Sequence, residues 1–183
     1  EITFTLNGEP RRVSIAPGDS LLDALRFGCG IISTKDGCQP QGQCGCCLAL
    51  VDGVPKTTCA VPATKAEGKT LTTLEGFDPE ERELIAKCFV GVAGLQCGFC
   101  IPGIAVRAKS VLDRDPGLGR EQIAARLAGH LCRCTGYTKI LDAIELMAKA
   151  KRGEPIPEPC RDGRVGSSLA RYTGEELTLG DQP

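Results

Sequence analysis

Gly37-Cys38-Gln39-Pro40-Gln41-Gly42-Gln43-Cys44-Gly45-Cys46-Cys47 decides how this chain is read, because it crowds cysteines into one glycine-punctuated loop, with Cys59 a short way downstream. Disulfide frameworks of secreted domains space their cysteines out, so bunching favours metal over cross-links. The glycines fit the same reading. A thiolate-ligated centre is strongly anionic and needs backbone N–H groups aimed at its sulfurs, and side chains would hold that backbone away. Thiolates drawn from one wrapping loop and one later position form the pattern of a plant-type [2Fe-2S] site. Zinc on four cysteines is the rival, although zinc knuckles pair two short hooks far apart. Cys46 lies between ligand candidates, points the other way in an extended loop, and reads as a small buried hydrophobe.

Working outward, Ile2-Thr3-Phe4-Thr5-Leu6 alternates, Asn7-Gly8 signals a tight turn, and Arg12–Ile15 alternates again, which predicts a β-hairpin. Ser20-x-x-Asp23 starts a short helix with Leu21, Leu22 and Leu25 on its apolar side. Strands are expected at Cys47–Val51, near Lys56–Val61 and near Thr70–Leu74. Mixed strands around one helix make a small α+β domain of β-grasp size, assigned to residues 1–76.

From Asp78 the hydrophobic period lengthens toward four. Leu84, Ile85, Cys88, Phe89 and Val92 share a face; so do Ile104, Ala105, Ala108, Val111 and Leu112; so do Ile123, Leu127 and Leu131; so do Ile140, Leu141, Ile144 and Met147. The expectation is a four-helix bundle over residues 77–151. Two of its turns carry cysteines: Gln96-Cys97-Gly98-Phe99-Cys100-Ile101-Pro102-Gly103, and Cys132-Arg133-Cys134-Thr135-Gly136-Tyr137. A C-x2-C facing a C-x-C supplies four sulfurs. Pro102 suits a first helical turn, where free amides and the helix dipole favour an anion. A redox C-x-x-C usually sits on a βαβ pattern, absent here. His130 is the only histidine, so neither a Rieske centre nor a two-histidine zinc site can form within the chain. It is expected at the surface near a helix end. Cys29, Cys88 and Cys160 have no partner at ligand spacing and read as structural.

Composition removes other classes. The 183 residues carry 22 Lys and Arg against 23 Asp and Glu, without the basic clustering that tracking phosphates requires, so no nucleic acid is expected. No apolar stretch is long enough to span a bilayer, and the expected location is the cytoplasm. The chain begins at Glu1, so further residues are expected ahead of it. Beyond Lys151 the proline-rich Arg152–Pro159 and the tail to Pro183 lack periodicity, and residues 152–183 read as an extended linker or docking arm.

The two cysteine-bearing turns together resemble the iron–sulfur portion of the molybdenum hydroxylases, the group of xanthine dehydrogenase, aldehyde oxidoreductase and aerobic carbon monoxide dehydrogenase. The resemblance covers residues 1 to about 150. It implies an N-terminal β-grasp [2Fe-2S] ferredoxin-like domain followed by a four-helix [2Fe-2S] domain. By motif position, Cys38, Cys44, Cys47 and Cys59 are the implied ligands of an outer cluster, and Cys97, Cys100, Cys132 and Cys134 those of an inner one. Gln96 and the backbone at Cys134 match positions that approach the molybdenum-pterin cofactor, carried by a molybdenum-binding subunit or downstream domain. The implied role is to pass electrons from that centre through both clusters to a flavin subunit or another acceptor, with no catalytic residue on this chain. A free-standing ferredoxin-like carrier is the alternative. Two departures from the family pattern matter. Cys38-x5-Cys44 holds one residue more than the usual loop, which predicts a bulge there, and Cys46 and Ile101 replace a usual alanine and threonine. Gly166-Ser167-Ser168 with Arg171, then Leu179-Gly180-Asp181, weakly resembles the opening of the molybdenum-binding portion, so the chain is read as abutting or preceding such a polypeptide.

Overall fold

A computed structural model describes residues 1–38, 40–157, 163–165 and 169–182. The alternating start forms β1 (Ile2–Leu6) and β2 (Glu9–Val13), antiparallel with Leu6 opposite Glu9. Asn7 and Gly8 both hold positive φ, 53° and 86°, which matches the right-handed strand twist. The Asn7 side chain is used twice more: its Oδ1 accepts from the Thr73 amide at 2.9 Å and its Nδ2 donates to Thr73 Oγ1 at 3.1 Å. This staples the turn to the far end of the sheet.

Helix α1 (Leu21–Asp23) starts on the expected box, Ser20 and Asp23 each serving the other's backbone, and runs on as a π-helical turn over Ala24–Gly28. Leu21, Leu22 and Leu25 are buried as expected, with Leu21 and Leu25 against Phe4 and Leu6 of β1. Strands β3 (Leu48–Val51) and β4 (Val54–Thr57) form a second hairpin through Asp52-Gly53, and β5 (Thr70–Thr72) runs parallel to β1 and antiparallel to β3. Among the described residues the sheet order is β2-β1-β5-β3-β4. The strand expected to reach Val61 stops at Thr57 because Thr58–Ala60 turns as a 3-10 helix. Thr58 Oγ1 donates to the Cys47 carbonyl at 2.7 Å there, and the turn brings Cys59 beside Cys47. The last strand likewise ends at Thr72, ahead of a turn at Leu74–Gly76.

The helical half comprises α2 (Pro79–Gly91), α3 (Ile101–Leu112), α4 (Arg120–Arg126) and α5 (Tyr137–Lys151). Their expected faces meet in one core of Ile85, Phe89, Ile104, Leu112, Ile123 and Ile144, which extends to Leu48 of β3. Each such fully buried side chain contributes about 1.5–3 kcal/mol. Two expectations fail at α4. The helix closes at Arg126, the chain turns through 127–130, and Leu131 stands 62% exposed instead of continuing the apolar face. The same turn carries His130 inward to 6% exposure, so it is not a surface histidine.

The tail holds an element the sequence reading lacked, α6 (Gly174–Leu179), which returns to pack on α2 and α3 with Thr178 and Leu179 buried. Gln39 in the loop expected to bulge, Cys160, the end of the proline-rich stretch and Gly166-Ser167-Ser168 lie outside the described residues. No helix among the described residues is long and apolar enough to cross a membrane.

Candidate metal centres

The outer cysteine loop runs between α1 and β3 without regular structure. Its entry is fixed from the turn after β5: the half-buried Glu75 carboxylate accepts from the Ser33 amide at 3.0 Å and from Ser33 Oγ at 2.6 Å. Gly42 and Gly45 hold φ of 68° and 69°, which lets the chain fold back on itself. Cys44, Cys47 and Cys59 are buried and Cys38 is half-buried. The thiols meet in pairs, Cys38 with Cys44 and Cys47 with Cys59. Burial works to raise the Cys38 thiol, but the amides of Gln43, Cys44 and Gln41 and the Cys44 thiol outweigh it and bring it to about 7. Burial and the neighbouring Cys47 push Cys59 up to about 12, while the Gly42 amide opposes them. Those amides are the anion cradle that the glycines imply. A Cβ on Gly37 would sit 3.0 Å from Cys44 Sγ, so only glycine lets the backbone come this close to the sulfurs. Cys46 is buried beside Cys44: its Sγ lies 3.7 Å from the Cys44 carbonyl, and burial and the Cys44 thiol drive its own thiol up. It is a neutral buried residue, as expected.

The inner set comes from two helix-start turns. Gly98, φ 86°, bends the chain between Cys97 and Cys100, and Cys100 caps α3 with Pro102 in its first turn. The second turn is held by Tyr137, whose hydroxyl accepts from the Cys132 amide at 2.7 Å and donates to the His130 carbonyl at 3.1 Å. Again the thiols pair, Cys97 with Cys134 and Cys100 with Cys132. All four line one small cavity of about 50 Å³ together with Gln96, Gly98 and Gly136. The Cys97 amide and thiol pull Cys134 down, whereas burial pushes Cys100 up. Cys100 and Cys132 are buried, while Cys97 is exposed and Cys134 half-buried. Gln96 Nε2 donates to the Cys134 carbonyl at 3.3 Å, so both residues singled out for a pterin contact share one edge of the nest.

The two nests interlock. The Leu131 amide donates to the Cys44 carbonyl at 3.0 Å, and Leu131 is bonded directly to Cys132. A Cβ on Gly103 would lie 2.3 Å from the Gly45 carbonyl oxygen, and one on Gly45 would lie 2.6 Å from His130 Nδ1. His130 is held neutral at about 4 by burial and by Arg107, whose Nε stands 3.4 Å from Nε2. Leu131 and His130 are the positions that sequence reasoning misplaced. The available signal was their place immediately before Cys132, which demands a tight turn.

Among the described residues no three His, Cys, Asp or Glu side chains close around a single-ion site, and every described cysteine is a free thiol. Pairs of thiols suit a centre of two irons, each of which takes two. Cys88 is fully buried in the α2 core, pushed up to about 12 by burial and Glu81, and Cys29 is half-buried beside the sheet core.

Comparison with known proteins agrees with this geometry. Residues 4–74 match the family described as 2Fe-2S iron-sulfur cluster binding domain, and residues 73–145 the one described as [2Fe-2S] binding domain. The nicotinate dehydrogenase small FeS subunit of Eubacterium barkeri is 42% identical over 144 residues, 78% of this chain and 91% of that protein. The chain belongs to the iron–sulfur subunits of the molybdenum hydroxylases. Members of this family serve as the electron-transfer part of an oxidoreductase, with two [2Fe-2S] clusters and a molybdenum-pterin cofactor on the partner, and a free-standing carrier is not favoured. The crystal structure of aldehyde oxidoreductase from Desulfovibrio desulfuricans ATCC 27774 is similar with a TM-score of 0.89 at 33% identity, over 100% of this chain and 21% of that one. Quinoline 2-oxidoreductase from Pseudomonas putida 86 is similar with a TM-score of 0.75 at 40% identity, over 84% of this chain and 97% of the matched chain. The chain therefore spans about a fifth of the aldehyde oxidoreductase chain and nearly all of the small subunits it matches.

Proposed function

We propose that Cys38, Cys44, Cys47 and Cys59 hold the outer cluster, and that Cys97, Cys100, Cys132 and Cys134 hold the inner one, nearer the partner's molybdenum centre. The observation that carries this reading is the meeting of thiols two by two in each nest, with backbone amides turned toward them. When bound, each cluster supplies one-electron redox chemistry.

The chain's own residues give the order of travel. Cys97 and Cys134 open to the surface beside Gln96, whereas Cys100 and Cys132 face inward and share a core with Cys44 and Cys46. From Cys132 the backbone leads to Leu131 and across its hydrogen bond to the Cys44 carbonyl, a short bonded route between ligands of the two nests. Cys38 is the half-exposed member of the outer set. On this reading Gln96 and the Cys134 backbone touch the edge of the partner's pterin, and a flavin subunit or another acceptor lies beyond the outer cluster. Residues 1–76 and 77–151 are the two cluster domains, and 152–183 form the arm toward the molybdenum-binding portion. The similarity to aldehyde oxidoreductase along the whole chain supports that arm. Free thiols throughout the described residues suit a reducing compartment, and we place the protein in the cytoplasm.

Iron and sulfide analysis with electron paramagnetic resonance of the reduced chain tests the assignment. About four irons per chain and two distinct signals are expected. Cys47→Ser should remove one signal and Cys100→Ser the other, and loss of the same signal in both variants would refute the two sets.

A further inference from the structure

Residues 169–182 return across the loop that carries Cys97 and Cys100. The Arg171 guanidinium donates through Nη1 to the Gln96 carbonyl, and its Nε is held by Thr173 Oγ1 at 3.0 Å. Leu177 lies against Gly98 so closely that a Cβ there would be 2.8 Å from Leu177 Cβ. Gly98 thus has two reasons to be glycine: its left-handed backbone and the side chain seated on it. The segment is anchored on either side of these contacts. Gly174 packs on Val90 and Gly180 on Ser33 and Pro102, while Asp181 pairs with Arg82 at 3.4 Å and Lys35 donates to the Gln182 carbonyl.

We propose that Arg171 and Leu177 are positioning residues for the inner cluster, holding the Gln96–Cys100 loop and setting that cluster's reduction potential separately from the outer one. The proposal deepens the inner-cluster assignment and rests on it. Arg171 is exposed, and an exposed polar contact of this kind adds little to stability. Its charge, however, stands one residue from Cys97, where a cation favours the more negative reduced cluster. Leu177 covers the Gly98 backbone and keeps water from that side of the nest. Hydrogen bonding and solvent exposure are the levers by which protein sets such potentials. Losing the cation makes the inner cluster harder to reduce; admitting water makes it easier.

The test is a redox titration of the full chain loaded with both clusters, each followed by its own paramagnetic signal. Arg171→Gln should lower the inner midpoint and Leu177→Ala should raise it, each changing the reduced-to-oxidised ratio at fixed potential by up to about tenfold, or about 59 mV for a one-electron couple. Arg171→Lys should restore most of the original value, and the outer midpoint should stay put throughout. Leu177→Val supplies the reading if the alanine variant does not load both clusters. An unmoved inner midpoint, a shift of both clusters together, or shifts in the same direction for Arg171→Gln and Leu177→Ala would overturn the proposal. An unsubstituted chain with a single signal would instead overturn the ligand assignment beneath it.

Discussion

In the outer nest the thiols of Cys38, Cys44 and Cys47 come from one irregular loop, and only Cys59 is brought in from elsewhere; in the inner nest two turns, each opening a helix, give two thiols apiece. The outer loop has no ladder of its own and takes its shape from glycine conformations and scattered backbone hydrogen bonds. The inner turns are fixed by α3 and α5, whose Ile104, Ile140 and Ile144 are buried to 2% exposure or less. The outer set stands on an irregular loop, whereas the inner set is presented by packed helices.

Metal removal is the strongest way to break that contrast. In the chelated chain, amide protection over residues 36–47 should fall by orders of magnitude while α3 and α5 stay protected, as hydrogen exchange would show. Equal loss in both regions would abolish the distinction. Gly103→Ala probes the seam between the two halves. Alanine favours a helix over glycine by about 1 kcal/mol, yet its Cβ would meet the Gly45 carbonyl, so a net loss of about 2–3 kcal/mol in denaturant unfolding is expected. A gain would mean that the halves can separate without cost.

Charge sharpens the comparison at smaller scale. Lys151 ties three helices, its Nζ 2.8 Å from Glu81 and 2.9 Å from Asp113, with its own side chain and that of Glu81 only 15% exposed. Lys151→Met leaves Glu81 buried without its cation and should cost about 1–2 kcal/mol in denaturant unfolding. Lys69→Met, which breaks the exposed pair with Asp52 in the sheet half, should change nothing measurable in the same assay. The smallest effect is in pH. Burial acts to raise the Asp113 carboxyl, but Lys109 and Lys151 outweigh it and hold it below the ordinary range. Its stabilisation is therefore present above its unfolded value, near 3.8, and is lost as pH falls through the folded one. In Lys151→Met its titration midpoint, followed by carboxyl NMR in the metal-free chain, should move up toward the ordinary value.

Cysteine spacing made the gathering of the thiols legible because it is written locally: Cys97-x2-Cys100 and Cys132-x-Cys134 are each a single turn. The Asn7-Gly8 hairpin and the apolar faces of α2, α3 and α5 were legible for the same reason. Long-range packing was not. In α6, Leu177 and Leu179 are two residues apart, no helical repeat, and the segment is helical because it docks on α2 and α3. His130 and Leu131 looked like the end of an amphipathic stretch, but the Tyr137 hydroxyl gathers the turn and inverts which of them is buried. The early end of β4 followed from Thr58 bonding Cys47, a contact across the sheet that alternation alone cannot anticipate.

The meeting of Gly45 and Gly103 limits modularity. At this point of the seam backbone lies on backbone, and neither glycine has a side chain that could be trimmed to admit a foreign surface. A chimera joining this sheet domain to another protein's helical domain must therefore bring glycine to both positions, or redesign the path from Cys132 to Cys44 along with the graft.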